Sequence, residues 1–105
     1  MSYRLQSAVR EILKSATFDR WFAALKDARA RARIAIRIDR LAQGNAGDVK
    51  PVGAGISELR VDYGPGYRVY FMQRSRAVVL LNGGDKRSQA ADIRRAMEIA
   101  QEWKE

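Results

Sequence analysis

Residues 58–72 read ELRVDYGPGYRVYFM, two alternating apolar runs on either side of Gly64-Pro65-Gly66. Successive side chains of a strand point to opposite faces, so the pattern predicts a hairpin with strands over Ile56–Tyr63 and Tyr67–Gln73. With 64–66 as the connecting loop, Tyr63 faces Tyr67, Val61 faces Val69 and Leu59 faces Phe71. One face then carries Leu59, Val61, Tyr63, Tyr67, Val69 and Phe71, a core face. The other carries Glu58, Arg60, Asp62, Arg68, Tyr70 and Met72, with Arg60 across from Tyr70 and Asp62 across from Arg68. A bulge that moved the register by one residue would exchange the two faces. Ordinary cross-strand pairing accounts for Asp62 beside Arg68, at no more than about 1 kcal/mol. It explains Arg60 and Tyr70 less well, because two guanidinium groups beside a phenol resemble a phosphate cradle.

Further along, LLNGGDKRSQ (80–89) follows a third strand over Ala77–Leu81. Its two glycines permit a sharp turn or a close approach to a ligand. Lys86 and Arg87 then emerge just before a helix N-terminus, where anions are favoured, although such a sequence is also an ordinary turn. Ser88 is placed to cap that last helix, whose stripe is Ile93, Ala96, Met97 and Ala100, with Trp103 near its end.

Towards the N-terminus, Ala8–Lys14 suits a short edge strand. Ser15 or Thr17 can cap a helix whose stripe is Phe18, Trp21, Phe22 and Leu25, spaced i, i+3, i+4 and i+7; the aromatics read as core. The segment 27–48 alternates with a period of two between Ala28 and Ile38. Its Ala and Arg content, its length and Gly44 at a C-cap position favour a helix. Ile34, Ile38 and Leu41 then share one side, and Arg29, Arg33, Arg37 and Arg40 another. That arginine side suits nucleic acid, solvent or a docking partner equally. A short strand over Val49–Val52 completes the list, and the order predicts one α+β domain over 1–105, with helices packed on an antiparallel sheet.

Composition bounds the chemistry. Of 105 residues, 47% are hydrophobic and 30% charged, the balance of an ordered globular chain. No apolar run approaches the ~20 residues of a membrane span, and the start lacks a signal peptide's apolar stretch, so a cytoplasmic protein is expected. The absence of cysteine and histidine removes disulfides, thiolate nucleophiles and the commonest general acid–base group and metal ligand. Twenty Lys and Arg against twelve Asp and Glu give a net charge of +8, which favours polyanionic partners.

Taken together, GNAGDVKPVGAGISELRVDYGPGYRVYF (44–71) and LLNGGDKRSQAADIRRAMEIA (80–100) resemble the addiction-module killer proteins, the HigB-like, phage Gp49-like branch of the RelE/ParE toxin superfamily. The elements GD-x-KPVG-x-G, ELR, GPGYR-V-Y-F and GGDK-x-x-Q-x-x-DI stand in the family's order. FDRWFAALKDARARARI (18–34) resembles its preceding helices, so the likeness runs over about Thr17–Trp103. The resemblance implies a RelE-like domain with a curved antiparallel sheet, acting as the toxin of a type II toxin–antitoxin pair. It implies cleavage of mRNA on the ribosome without metal or cofactor, and an antitoxin of helix-turn-helix type through which operator DNA would be bound. Basic functional positions carry over to Lys50, Arg60, Arg68 and Lys86.

Such cleavage uses the RNA 2′-hydroxyl as nucleophile. It needs a proton acceptor, a proton donor for the 5′-oxygen, and positive charge on the phosphorane. Arg68 and Lys86 are assigned to transition-state charge; Lys50, Arg60 and Arg87 to RNA contact; Tyr70 and Glu58 are the candidates for proton transfer. Several relatives carry Tyr or His near the start of the last helix, where this chain reads Ser88-Gln89-Ala90-Ala91-Asp92. ParE-like members instead inhibit DNA gyrase without cutting RNA, and a toxin fold retained purely for binding is a third reading.

Overall fold

The computed structural model describes residues 9–104. The elements are β1 (Glu11–Lys14), α1 (Ala16–Ala24), α2 (Ala28–Ala42), β2 (Val49–Gly53), β3 (Ile56–Val61), β4 (Tyr67–Arg74), β5 (Ala77–Asp85), a 3₁₀ turn (Lys86–Ser88) and α3 (Gln89–Glu102). They form a sheet of order β1-β5-β4-β3-β2, with α1 and α2 on one face and α3 on the other.

Ser15 fastens the N-terminal junction. Its Oγ accepts from the Phe18 amide at 2.9 Å, capping α1, and donates to the Leu81 carbonyl at 2.5 Å. The strand expected before it is present over Glu11–Lys14, with Ala8 outside the described residues. It lies at the sheet edge, parallel to β5, while the other pairings are antiparallel. The ambiguous segment is a helix. Asp27 caps it by accepting from the Arg29 and Ala30 amides, Ala30, Ile34, Ile38 and Leu41 are buried, and Gly44 follows the C-cap with φ +88°.

The sheet separates two cores. Phe18, Ile34, Ile38, Leu41, Leu59, Val61, Val69 and Phe71 pack with Val78 and Leu80 beneath α1 and α2. Ile56, Tyr70, Met72, Val79 and Leu81 pack against Ala96 and Ile99 of α3.

Three expectations are corrected. In the hairpin, Val61 pairs with Tyr67, Leu59 with Val69, Arg60 with Arg68 and Glu58 with Tyr70. Asp62 and Tyr63 belong to the loop, where the Gly66 amide bonds back to the Tyr63 carbonyl at 3.1 Å and Gly64 and Gly66 hold positive φ. The slip is two residues, a whole side-chain period, so the strand residues keep their predicted faces. Second, β5 runs straight through Gly83 and Gly84 to Asp85 instead of turning there. Helices press on both sides of it: a Cβ at Gly83 would lie 2.4 Å from the Trp21 ring, and one at Gly84 1.8 Å from Asp92 Oδ2. Third, Ser88 occupies the N-cap position of α3 but makes no capping bond; its Oγ donates to Asp92 Oδ2 at 2.5 Å. Asp85 caps the preceding turn instead, accepting from the Arg87 amide at 2.9 Å.

Candidate nucleic-acid interface

The α3 face of the sheet is covered at one end only. Towards the 62–66 loop, the even-numbered residues of β3 and β4 emerge from beneath α3 and line a shallow cleft of about 220 Å³. Its walls are Asp48, Arg60, Asp62, Gly66, Arg68 and Lys86.

Arg60 and Arg68 face one another directly across β3 and β4, an arrangement that like charges disfavour. Each is held by a carboxylate. Asp48 Oδ1 accepts from Arg60 Nε at 3.2 Å and Nη2 at 3.0 Å, which raises the guanidinium pKa above its ordinary value. Glu58 Oε2 lies 3.6 Å from Arg68 Nε, and both side chains are largely withdrawn from solvent, at 0% and 11% exposure.

Glu58 is the centre of a buried polar group. Oε2 also accepts from Gln89 Nε2 at 2.6 Å and from the Tyr70 hydroxyl at 3.2 Å. Gln89 opens α3, so this bond seats the helix against the cleft floor. Burial, then the Glu58 charge, pushes the Tyr70 phenol well above its ordinary value. Tyr70 and Glu58 are both fully buried, so they support the cleft from below.

Lys86 arrives by a different route. Its backbone begins the 3₁₀ turn after β5, and its stem packs over Gly66, where a Cβ would lie 2.9 Å from Lys86 Cε. Gly66 also holds φ +84°, a conformation that glycine adopts without strain. Lys50 stands opposite Glu58 in the β2–β3 register, exposed, on the same face but outside the cleft walls. Arg87 also lies outside them, 86% exposed and 3.5 Å from Asp85.

The structure thus gathers Arg60, Arg68 and Lys86 at the cleft, sets Tyr70 and Glu58 beneath, and leaves Lys50 and Arg87 beside it. Neither alternation nor charge pattern singles out Asp48 or Gln89, although both stand in the motifs GD-x-KPVG and GGDK-x-x-Q. Arg37, one of the arginines that the sequence places on one side of α2, has a structural role that this pattern does not indicate. This arginine of α2 donates to the carbonyls of Arg60 at 2.7 Å and Ala46 at 3.0 Å, stapling the 44–48 loop to β3. Arg33 lies 4.7 Å over the Tyr63 ring. The arginine side of α2 is therefore partly a set of structural fasteners.

These features define a small α+β domain with a cationic cleft at one end of its sheet. The model of the phage-derived Gp49-like protein family (DUF891) matches residues 20–105, and the chain belongs to that family. A Haemophilus influenzae protein described as uncharacterized is 52% identical over 93 residues, covering 88% of this chain and 94% of its own length. Among solved structures, a chain of the toxin–antitoxin complex RelBE2 from Mycobacterium tuberculosis shares the fold. Its TM-score is 0.58 at 20% identity, over 74% of this chain and 99% of that one. The RelE-like fold expected from sequence is thereby found. No helix among the described residues is long and apolar enough to cross a membrane.

Proposed function

We propose that this chain is the toxin of a type II toxin–antitoxin pair and cuts mRNA on the ribosome. The observation that carries the reading is the convergence of Arg60, Arg68 and Lys86 on one cleft large enough for a phosphodiester. Guanidinium groups bind phosphate oxygens as a fork and an ammonium binds them as a point charge, so the three suit a phosphate whose negative charge grows in the transition state. Arg68 and Lys86 stabilise the phosphorane; Arg60, with Lys50 and Arg87 at the margin, positions the strand. Membership of the Gp49-like family and the fold shared with a toxin–antitoxin chain support the toxin role. An antitoxin of helix-turn-helix type would neutralise the protein in the cytoplasm and carry any contact with operator DNA.

One observation favours a second reading, inhibition of DNA gyrase without cleavage. Tyr70 and Glu58, the sequence candidates for proton transfer, are fully buried and cannot touch RNA in this conformation. Controlled expression in growing cells, with transcript 5′ ends mapped alongside DNA integrity, separates the two. Cuts within codons, lost in Lys86→Ala, are expected. Intact messages with accumulating DNA breaks would overturn the endonuclease reading in favour of gyrase.

A further inference from the structure

The ionisable groups around the cleft divide into paired and unpaired. Arg60 is held by Asp48, and Arg68 faces Glu58 beneath. The side chains of Asp62 and Lys86 make no hydrogen bond or ion pair with any other described residue. One carboxylate and one ammonium therefore remain free on the walls of a cleft whose other two cations are already placed. Asp62 is exposed, in the loop just before Gly64-Pro65-Gly66. It also borders the arginine side of α2, where Arg33, Arg37 and Arg40 line a neighbouring hollow.

Resting on the endonuclease reading, we propose that Asp62 is a catalytic residue, the base that takes the proton of the RNA 2′-hydroxyl. Proton transfer requires a group within hydrogen-bond reach of the substrate, which burial denies to Tyr70 and Glu58. Asp48 is a less suitable base, because one of its oxygens is occupied by two Arg60 donors. With a phosphodiester between Arg60 and Arg68, the Asp62 carboxylate accepts the 2′-hydroxyl proton. The freed oxygen pair forms a bond to phosphorus, the bond from phosphorus to the 5′-oxygen breaks, and the Lys86 ammonium gives that oxygen a proton. The products are a 2′,3′-cyclic phosphate and a 5′-hydroxyl. Exchange with water returns the proton from Asp62 and restores that of Lys86, so no other reactant is needed.

The rival role for Asp62 is a surface carboxylate that offsets the surrounding cations, and the two roles predict opposite signs. Removing a negative charge from a cationic cleft strengthens its attraction for RNA. A mere counterweight predicts that Asp62→Asn cleaves as fast as the parent protein or faster. A catalytic base predicts equal or tighter binding with cleavage about 10²- to 10⁴-fold slower.

The test uses the full-length protein and ribosomes programmed with a defined mRNA, measuring single-turnover cleavage and binding separately for wild type, Asp62→Asn and Asp62→Glu. Expected are slow cleavage with undiminished binding in Asp62→Asn, partial recovery in Asp62→Glu, and cyclic-phosphate ends. An active wild type with an equally active Asp62→Asn overturns the proposal alone. A wild type that leaves every message intact overturns the endonuclease reading and the proposal with it. Thermal unfolding of Asp62→Asn at the wild-type midpoint excludes misfolding, as expected for an exposed loop side chain.

Discussion

The two faces of β3 and β4 are written by the same alternation and used differently. Towards α1 and α2, Leu59, Val61, Val69 and Phe71 are all buried in one apolar cluster. Towards α3, Ile56, Tyr70 and Met72 begin a second cluster, but it gives way to Glu58, Arg60 and Arg68 where α3 stops covering the sheet. A fully covered face can be purely apolar. A half-covered face must pass from core to charge within a few residues, and Glu58, wholly buried yet ringed by Arg68, Gln89 and Tyr70, makes that passage.

Adjacent substitutions can break this comparison. Glu58→Ala removes the counter-charge of a mostly buried arginine and should cost about 3–5 kcal/mol in chemical denaturation. Leu59→Ala, one residue away on the other face, opens a cavity in the apolar cluster and should cost about 2–5 kcal/mol. A cost for Glu58→Ala below 1 kcal/mol would show that the buried polar group is incidental. Arg68→Ala is accordingly a poor probe of function, because it strands Glu58 without its charge partner. Gly83→Ala drives a methyl group into Trp21 and should cost about 1–3 kcal/mol without touching the cleft. Asp48→Asn should leave the denaturation midpoint nearly unchanged, since its pair with Arg60 is half exposed, and should leave RNA binding equal or tighter, because it too removes a negative charge from the cleft wall.

Much of this was legible in the residues. The period-two pattern assigned the faces of Leu59, Val61, Arg60 and Arg68 correctly even though the register differed by two, because face depends on parity and not on which residues meet. Register depended on the 62–66 loop, whose positive-φ glycines and returning hydrogen bond are not encoded in alternation. Gly83-Gly84 read as a turn because glycine signals either a bend or a close approach. The second holds only once Trp21 and Asp92, distant in sequence, arrive on opposite sides of the strand. Tyr70 and Glu58 looked available for chemistry because nothing local reveals that Gln89 and α3 close over them. The arginines of α2 looked uniform, yet Arg37 reaches carbonyls across the 44–48 loop while Arg33 rests on Tyr63.

The sharpest contrast lies between Lys86 and Arg87, consecutive residues in the same short turn. Lys86 lines the cleft, and Arg87 projects away at 86% exposure beside Asp85. Neither makes a contact whose loss should move stability by more than about 0.5 kcal/mol. Cleavage of ribosome-bound mRNA by purified Lys86→Ala and Arg87→Ala, side by side with wild type, tests whether function resides in the cleft. A loss of at least about 10²-fold for Lys86→Ala is predicted, against a loss of no more than about 10-fold for the marginal contact removed in Arg87→Ala. Equal losses for the two, or a spared Lys86→Ala, would contradict the assignment of this cleft as the site.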